Sequence, residues 1–401
     1  MYTLDVTGCA RISDTLTAPL QDRGGQVINV QAFGVLPTSA DNVAAYNALL
    51  TVLPTNGASL YFPPGAYVFS TNPNAITTPN VKIVGASRGT TVIKRNAVPT
   101  SGNLCGLFTI QAPGFELADL TIQGAGSFTA TASIYGKGIY IHNAARGYIH
   151  DIEACNLEGE AIYADGESSF TRFERNYVHD NAMAGINLNC SMSTSAFCRV
   201  VDNTTINNAA GGLQIVCKSS LVERNMVSNP LLAGCDLVII DGTSFVFADN
   251  MIVDSAINSA YVNALHIGQF SAGQYEQGIV RGNIIRNNKT ANSTTGAPIF
   301  IDNIAIGDIL IDGNFISENG QAVIHNSPAI SMAGANLKAT VIVANNYIRR
   351  GVNNWQGKGI RIEATVPISN HIVIRQGHID GDVSEPYVCA VQPLRNFDVG
   401  V

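Results

Sequence analysis

Along most of this chain an asparagine or aspartate returns at a near-regular interval, each time ahead of a short β-branched or aromatic run. The positions are Asp119, Asp151, Asn176, Asn203, Asn225, Asn250, Asn283, Asn314 and Asn346, separated by 32, 25, 27, 22, 25, 33, 31 and 32 residues. The surroundings repeat too: RNYV at 175–178, RNMV at 224–227, GNII at 282–285, GNFI at 313–316 and NNYI at 345–348. Self-similarity at a period of about 20 to 50 residues marks a solenoid, in which each repeat buries its apolar face only by stacking on its neighbours. Equivalent residues of successive repeats then lie side by side, so the period doubles as a surface map. The asparagines themselves are expected at a turn between strands, where the side chain tolerates left-handed backbone and its amide can pair with that of the next coil.

The bulk properties agree. Of 401 residues, 13% are charged, 46% are apolar and 38 are glycine, as in a long continuous core with many tight turns. A net charge of −7 with scattered basic residues argues against nucleic acid as a partner. No apolar run approaches the roughly 20 residues needed to span a bilayer, so no membrane partner is expected. The N-terminal MYTLDVTGCARISDT lacks a basic-then-apolar leader, which predicts cytoplasmic synthesis and release by lysis or on a virion. None of the eight cysteines forms a CxxC pair, so reduced, buried thiols are expected and no metal or other cofactor. Cys190 and Cys217 fall at equivalent places in adjacent repeats and are the one candidate disulfide.

Residues 1–26 stand apart as two short alternating stretches ending at Asp22-Arg23-Gly24-Gly25, and read as a small β neck or attachment segment. The repeat unit is expected over 27–401, opened by a capping motif at 27–70. Within that motif INVQAFGV (28–35) reads as a strand, and residues 41–53 follow a helical period with Val43, Tyr46, Leu50 and Leu53 on one face. ASLYFPPGAYVFS (58–70) reads as strand, Pro-Pro-Gly turn and strand.

Phe33-Gly34, Asp41-Asn42, the helix and Pro63-Pro64-Gly65-Ala66-Tyr67 together resemble the opening motif of the pectate-lyase-like superfamily. The usual Gly-Asp-rich loop is replaced here by Val-Leu-Pro-Thr-Ser-Ala-Asp-Asn (35–42). The resemblance implies an all-β, right-handed parallel β-helix whose helix closes the open end of the coil. Each repeat supplies a second strand of I-x-I form: Ile139/Ile141, Ile162/Ala164, Ile186/Leu188, Leu213/Ile215, Leu237/Ile239, Leu265/Ile267, Ile299/Ile301, Ile330/Met332 and Ile360/Ile362. Alternation sends these side chains inward and their neighbours outward.

Two outward columns follow. One reads Tyr140, Tyr163, Asn187, Gln214, Val238, His266, Phe300, Ser331 and Arg361. The other reads His142, Asp165, Asn189, Val216, Ile240, Gly268, Asp302, Ala333 and Glu363. Early coils are polar and aromatic, the middle is apolar, and charge returns at the far end.

The first candidate site is therefore His142, Asp165 and Tyr163, with Tyr140, Asn187, Asn189 and Gln214 as binding residues and Glu167 and Glu160 nearby. A tyrosine, a histidine and a carboxylate on an open groove suit abstraction of the proton α to a uronate carboxylate. Tyr163-Ala164-Asp165-Gly166-Glu167 is loosely similar to the Tyr-Gly-Phe-Asp-Pro-His-Glu site of alginate epimerases, without its histidine and at a different spacing, so no activity is carried over. The second candidate pairs Asp302 with Glu363, two coils or about 9–10 Å apart, near the upper end for the two carboxylates of an inverting glycosidase. Asp241 is close by, and Trp355, Arg361 and His266 could bind sugar. His150 and His179 read as turn residues without partners at metal spacing.

The resemblance implies a carbohydrate-binding, polysaccharide-degrading tailspike-like depolymerase acting on an acidic surface polysaccharide, a homotrimer attached to a virion through residues 1–26. The alternatives are a non-catalytic spike or fibre and a free bacterial lyase, C5 epimerase or glycosidase.

Overall fold

The computed structural model describes residues 26–99, 106–126, 133, 135–190, 197–228, 238–242, 244–254, 263–268, 274–288, 297–302, 306–319, 327–333, 337, 340–349, 356–362, 372–375, 377–379, 385–389 and 397–400. The neck expected at 1–26 thus lies outside the described residues but for Gln26. From Val27 onward the chain coils as a right-handed parallel β-helix, with three sheets among the described residues, here A, B and C, of 14, 12 and 11 strands. A single coil shows the plan: Tyr148–His150 joins sheet A, Glu153–Cys155 joins sheet B, and Ile162–Gly166 joins sheet C. Every strand pair is parallel and links one coil to the next, as in Ile139↔Ile162↔Ile186↔Leu213 on sheet C.

The interior is a stack of single apolar side chains. Sheet A sends in Ile149, Phe173, Val200, Val222, Phe247, Val280 and Ile311, all fully buried. Sheet C sends in the I-x-I pairs at the expected positions in every described coil but one. There, Gln214 pairs with Ile239 and Val216 with Asp241, so Val238 and Ile240 point inward while Ile239 and Asp241 point outward. The run Leu237-Val238-Ile239-Ile240 has no polar residue to mark a phase, and a one-residue slip exchanges the two faces. Burial of each such side chain contributes about 1.5–3 kcal/mol.

The asparagines are not at the left-handed positions themselves. Those are held by the residue before each one: Arg175, Asp202, Arg224, Asp249, Gly282, Gly313 and Asn345, with φ between 52° and 64°. Asp119 and Asp151 also occupy this left-handed place, so they sit one residue out of register with the asparagines that follow. Asn176, Asn203, Asn225, Asn250, Asn283, Asn314 and Asn346 form a buried ladder inside the corner between sheets A and B. From Asn176 to Asn314 each amide donates to the side-chain oxygen of the next, at 2.8–3.1 Å, and to a carbonyl of the preceding coil, as Asn225 does to Val200. A shorter ladder, Asn181–Asn208 and Asn288–Asn319, fills the next corner. The turns bury polar backbone, and these side chains satisfy it.

The capping helix spans Val43–Thr51. Asp41 Oδ1 accepts from Val43 N, and the buried Asn42 side chain ties the loop to Leu36 and Val68. Tyr46 and Leu49 are its fully buried residues, with Tyr46 edge-on to Phe69 at 5.7 Å, while Val43, Leu50 and Leu53 are partly buried beside them. The strand expected over 28–35 is only Val27–Asn29. Asn29 accepts from Gln31 N to start a 3-10 turn over Val30–Phe33, which ends at left-handed Gly34. Among the described residues no helix is long and apolar enough to cross a membrane.

Candidate active site on sheet C

Lys137–His142, Ile162–Gly166 and Ile186–Cys190 lie side by side on sheet C. Tyr140 pairs with Tyr163 and then Asn187, and His142 with Asp165 and then Asn189, as the two columns require. His142 Nδ1 lies 2.6 Å from Asp165 Oδ1, and the Tyr140 hydroxyl donates to Asp165 Oδ2 at 3.0 Å. The same hydroxyl is 3.2 Å from His142 Nδ1.

A contact this short to a carboxylate puts the ring proton on Nδ1, leaving the lone pair on Nε2. There it meets the Asn143 amide, Nδ2 to Nε2 2.9 Å, a group missed in the sequence although it directly follows His142. Asn143 is itself in the left-handed region at φ 52°, and its Oδ1 accepts from Glu167 N. The histidine side chain is 40% exposed and Asp165 24%, so substrate can reach both.

Tyr163 stands beside this group, its ring 5.7 Å from that of Tyr140 and its hydroxyl 3.4 Å from Asn189 Nδ2. Burial pushes its phenol above the usual range, with the charge of Asp165 adding to the shift. Lys137 Nζ sits over the Tyr163 ring, 4.7 Å from its centre, and pairs with Glu160 at 3.1 Å. Both partners of that pair are 7% exposed, which commits Glu160 to Lys137 rather than to the groove. Below them Arg95 and Glu158, both fully buried, pair at 2.7 Å. These two ion pairs anchor the start of the coil that carries Tyr163. Glu167 is exposed at the edge of the cluster.

The remaining expected residues are placed differently. Gln214 donates its amide to Ala210 O at 2.8 Å, which turns it toward its own loop. His266 is 6% exposed, packs edge-on to Phe300 and reaches Asp302 Oδ1 through Nε2 at 3.0 Å. Asp302 therefore joins a histidine–aspartate pair. Asp241 shares its column but is buried. Arg361 stands opposite Ser331, while Trp355 and Glu363 lie outside the described residues. Cys190 and Cys217 do come abreast, and with Cys155 and Cys198 they are free, buried thiols.

The coil geometry matches known architecture. Residues 67–229 fit the family model described as "Right handed beta helix region". No curated protein matches the sequence. Among solved structures the chain is similar to the A-module of the mannuronan C-5 epimerase AlgE6 of Azotobacter vinelandii, at 16% identity and TM-score 0.70 over 93% of this chain and 98% of that one. It is also similar to the catalytic unit of a GH87 α-1,3-glucanase from Streptomyces thermodiastaticus, at 14% identity and TM-score 0.61 over 96% and 69% of the two chains. Tailspike protein 3 of bacteriophage CBA120 aligns at 11% identity and TM-score 0.53 over 94% and 61%. At identities this low the likeness shows the shared fold alone.

Proposed function

We propose that this β-helix is a carbohydrate-active enzyme that handles the C5 proton of an acidic, uronate-containing polysaccharide laid across sheet C. The observation that carries the reading is the open Tyr140–His142–Asp165 cluster, with one imidazole nitrogen fixed by a carboxylate and the other turned to a neutral amide. In this reading His142 Nε2 removes the proton once substrate displaces the Asn143 amide, and Asp165 stabilises the imidazolium that forms. Tyr163, held protonated by its raised pKa, supplies a proton to the leaving oxygen or to the opposite face of C5. Asn187 and Asn189 are placed one coil on to bind the carboxylate, which must lose its charge for the C5 proton to become acidic. Similarity to an epimerase, a glucanase and a phage tailspike supports the carbohydrate class.

Attachment to a virion through residues 1–26 and trimeric assembly belong to the same proposal. A half-buried apolar row on the outer face of sheet A, Leu221, Val246, Ile279, Leu310 and Ile342 in register, is a surface of the kind subunits cover.

Incubation with capsular and algal uronates separates the outcomes. New ultraviolet absorbance marks β-elimination, and deuterium uptake at C5 from heavy water without cleavage marks epimerisation. New reducing ends without absorbance would move the chemistry to hydrolysis. Silence across a broad panel leaves a glycan-binding spike, the reading that needs no chemistry.

A further inference from the structure

The sequence pattern Tyr-x-His-Asp occurs twice, as Tyr148-Ile149-His150-Asp151 and Tyr177-Val178-His179-Asp180, and neither copy is used by the site on sheet C. In both, the tyrosine ring stacks on the histidine, at 3.9 and 4.3 Å, and Nδ1 lies 2.7 Å from the following aspartate. In both, Nε2 faces a glutamate of the preceding coil, Glu116 at 3.4 Å and Glu153 at 3.1 Å. The copies differ in what stands directly opposite the histidine in that coil. Opposite His150 it is Ala118; opposite His179 it is Cys155.

We propose that Glu153, Cys155 and His179 form a binding site for a divalent transition-metal ion of the zinc class on the outer face of sheet B. One oxygen, the sulfur and one ring nitrogen of these residues all lie within 4.8 Å of one another. A thiolate, an imidazole and a carboxylate form a donor set that suits zinc, with water as a fourth ligand. The supports that such sites need are already built. Asp180 holds His179 at Nδ1, which directs the Nε2 lone pair toward the cluster, and the Asn207 amide in turn holds Asp180. Thr121 donates to Glu153 Oε2 at 2.7 Å and so leaves Oε1 for the ion. Carboxylates behind a ligating histidine are a regular feature of zinc sites.

Charge points the same way. The carboxylates of Asp180 and Glu153 flank the His179 ring at 2.7 and 3.1 Å, so a cation at this point relieves crowded negative charge. Binding forms the metal–sulfur bond and releases the thiol proton to solvent. Cys155 is buried, whereas the side chains of Glu153 and His179 are 25% and 16% exposed, which leaves an approach from the sheet surface.

The test uses the full chain, stripped with chelator and titrated with Co²⁺ and then Zn²⁺ alone. The expected result is one ion per chain with a thiolate-to-cobalt charge-transfer band, and release of a proton in calorimetry. Cys155→Ser abolishes the band. His179→Ala weakens binding by about 10- to 100-fold or more, the range seen when even supporting groups are lost, whereas His150→Ala leaves it unchanged. X-ray absorption at the zinc edge of the unmodified protein reads one sulfur in the first shell independently of any variant. A shell of nitrogen and oxygen only, or a titration that His150→Ala and His179→Ala affect alike, overturns the proposal and leaves His179 as an imidazolium clamped between two carboxylates.

Discussion

His142 on sheet C and His179 on sheet B are built from the same parts and lie two coils apart, yet they face different chemistry. Each is fixed at Nδ1 by an aspartate, at 2.6 and 2.7 Å. At Nε2 His142 meets the neutral amide of Asn143, whereas His179 meets the carboxylate of Glu153. A neutral, displaceable neighbour leaves a lone pair for a substrate proton. A carboxylate and a thiol beside the same atom favour a bound cation, because negative charge is already concentrated there. The second nitrogen, more than the histidine itself, decides what each site can do.

The largest effect expected from breaking this contrast is at Asp165. Asp165→Asn leaves the shape of the cluster but no longer selects the Nδ1 proton, and turnover on uronates should fall by about a thousandfold. Tyr163→Phe should likewise suppress turnover while circular dichroism stays unchanged. Full activity in both Asp165→Ala and Tyr163→Phe would remove sheet C from consideration. Next comes the scaffold beneath both sites. Asn225→Ala strips partners from Asn203, takes the side-chain donor from Val200 O and removes one of the two donors to Asn250 Oδ1, so stability should drop by about 2–4 kcal/mol in chemical denaturation.

A smaller change sharpens the contrast from the other side. Asp180→Asn should weaken cobalt affinity by about tenfold and leave turnover untouched. Equal losses in both assays would show that the two histidines are not independent.

The smallest effect concerns the third imidazole, His150, whose aspartate is also gripped by Arg175 at 2.6 and 2.9 Å. The Arg175 hydrogen bonds, with help from His150, hold Asp151 down at about 2. A depressed carboxylate stabilises the fold above its unfolded value of about 3.9, and that contribution fades as pH falls toward 2. The thermal midpoints of the native chain and of Asp151→Asn should therefore differ at pH 5 and converge near pH 2. The difference is modest, below about 1 kcal/mol, because both partners are partly exposed.

Much of this was legible in the linear chain. A period of 22 to 33 residues and the I-x-I alternation required stacked coils, and they placed Tyr140, His142, Tyr163 and Asp165 on one outward face. The sequence pattern slipped where it lost its polar phase marks, at Leu237–Ile240, and there it put Ile240 in the column instead of Asp241. It also placed the asparagines on the left-handed backbone that their preceding residues occupy, because a turn residue and a ladder residue look alike in one dimension.

What the sequence alone determined is the kind of object: side chains that alternate and recur can be buried only by coiling one repeat upon the next. Tertiary structure decided which neighbours touch across coils. Glu153 and Cys155 lie up to 26 positions from His179, and only the parallel register that sets Cys155 against His179 brings their donor atoms together. Likewise Asp165 selects the reactive nitrogen of His142 from 23 positions away. Local pattern fixes which way a side chain points. The partner it finds there depends on register between coils, which backbone hydrogen bonds set and no single repeat contains.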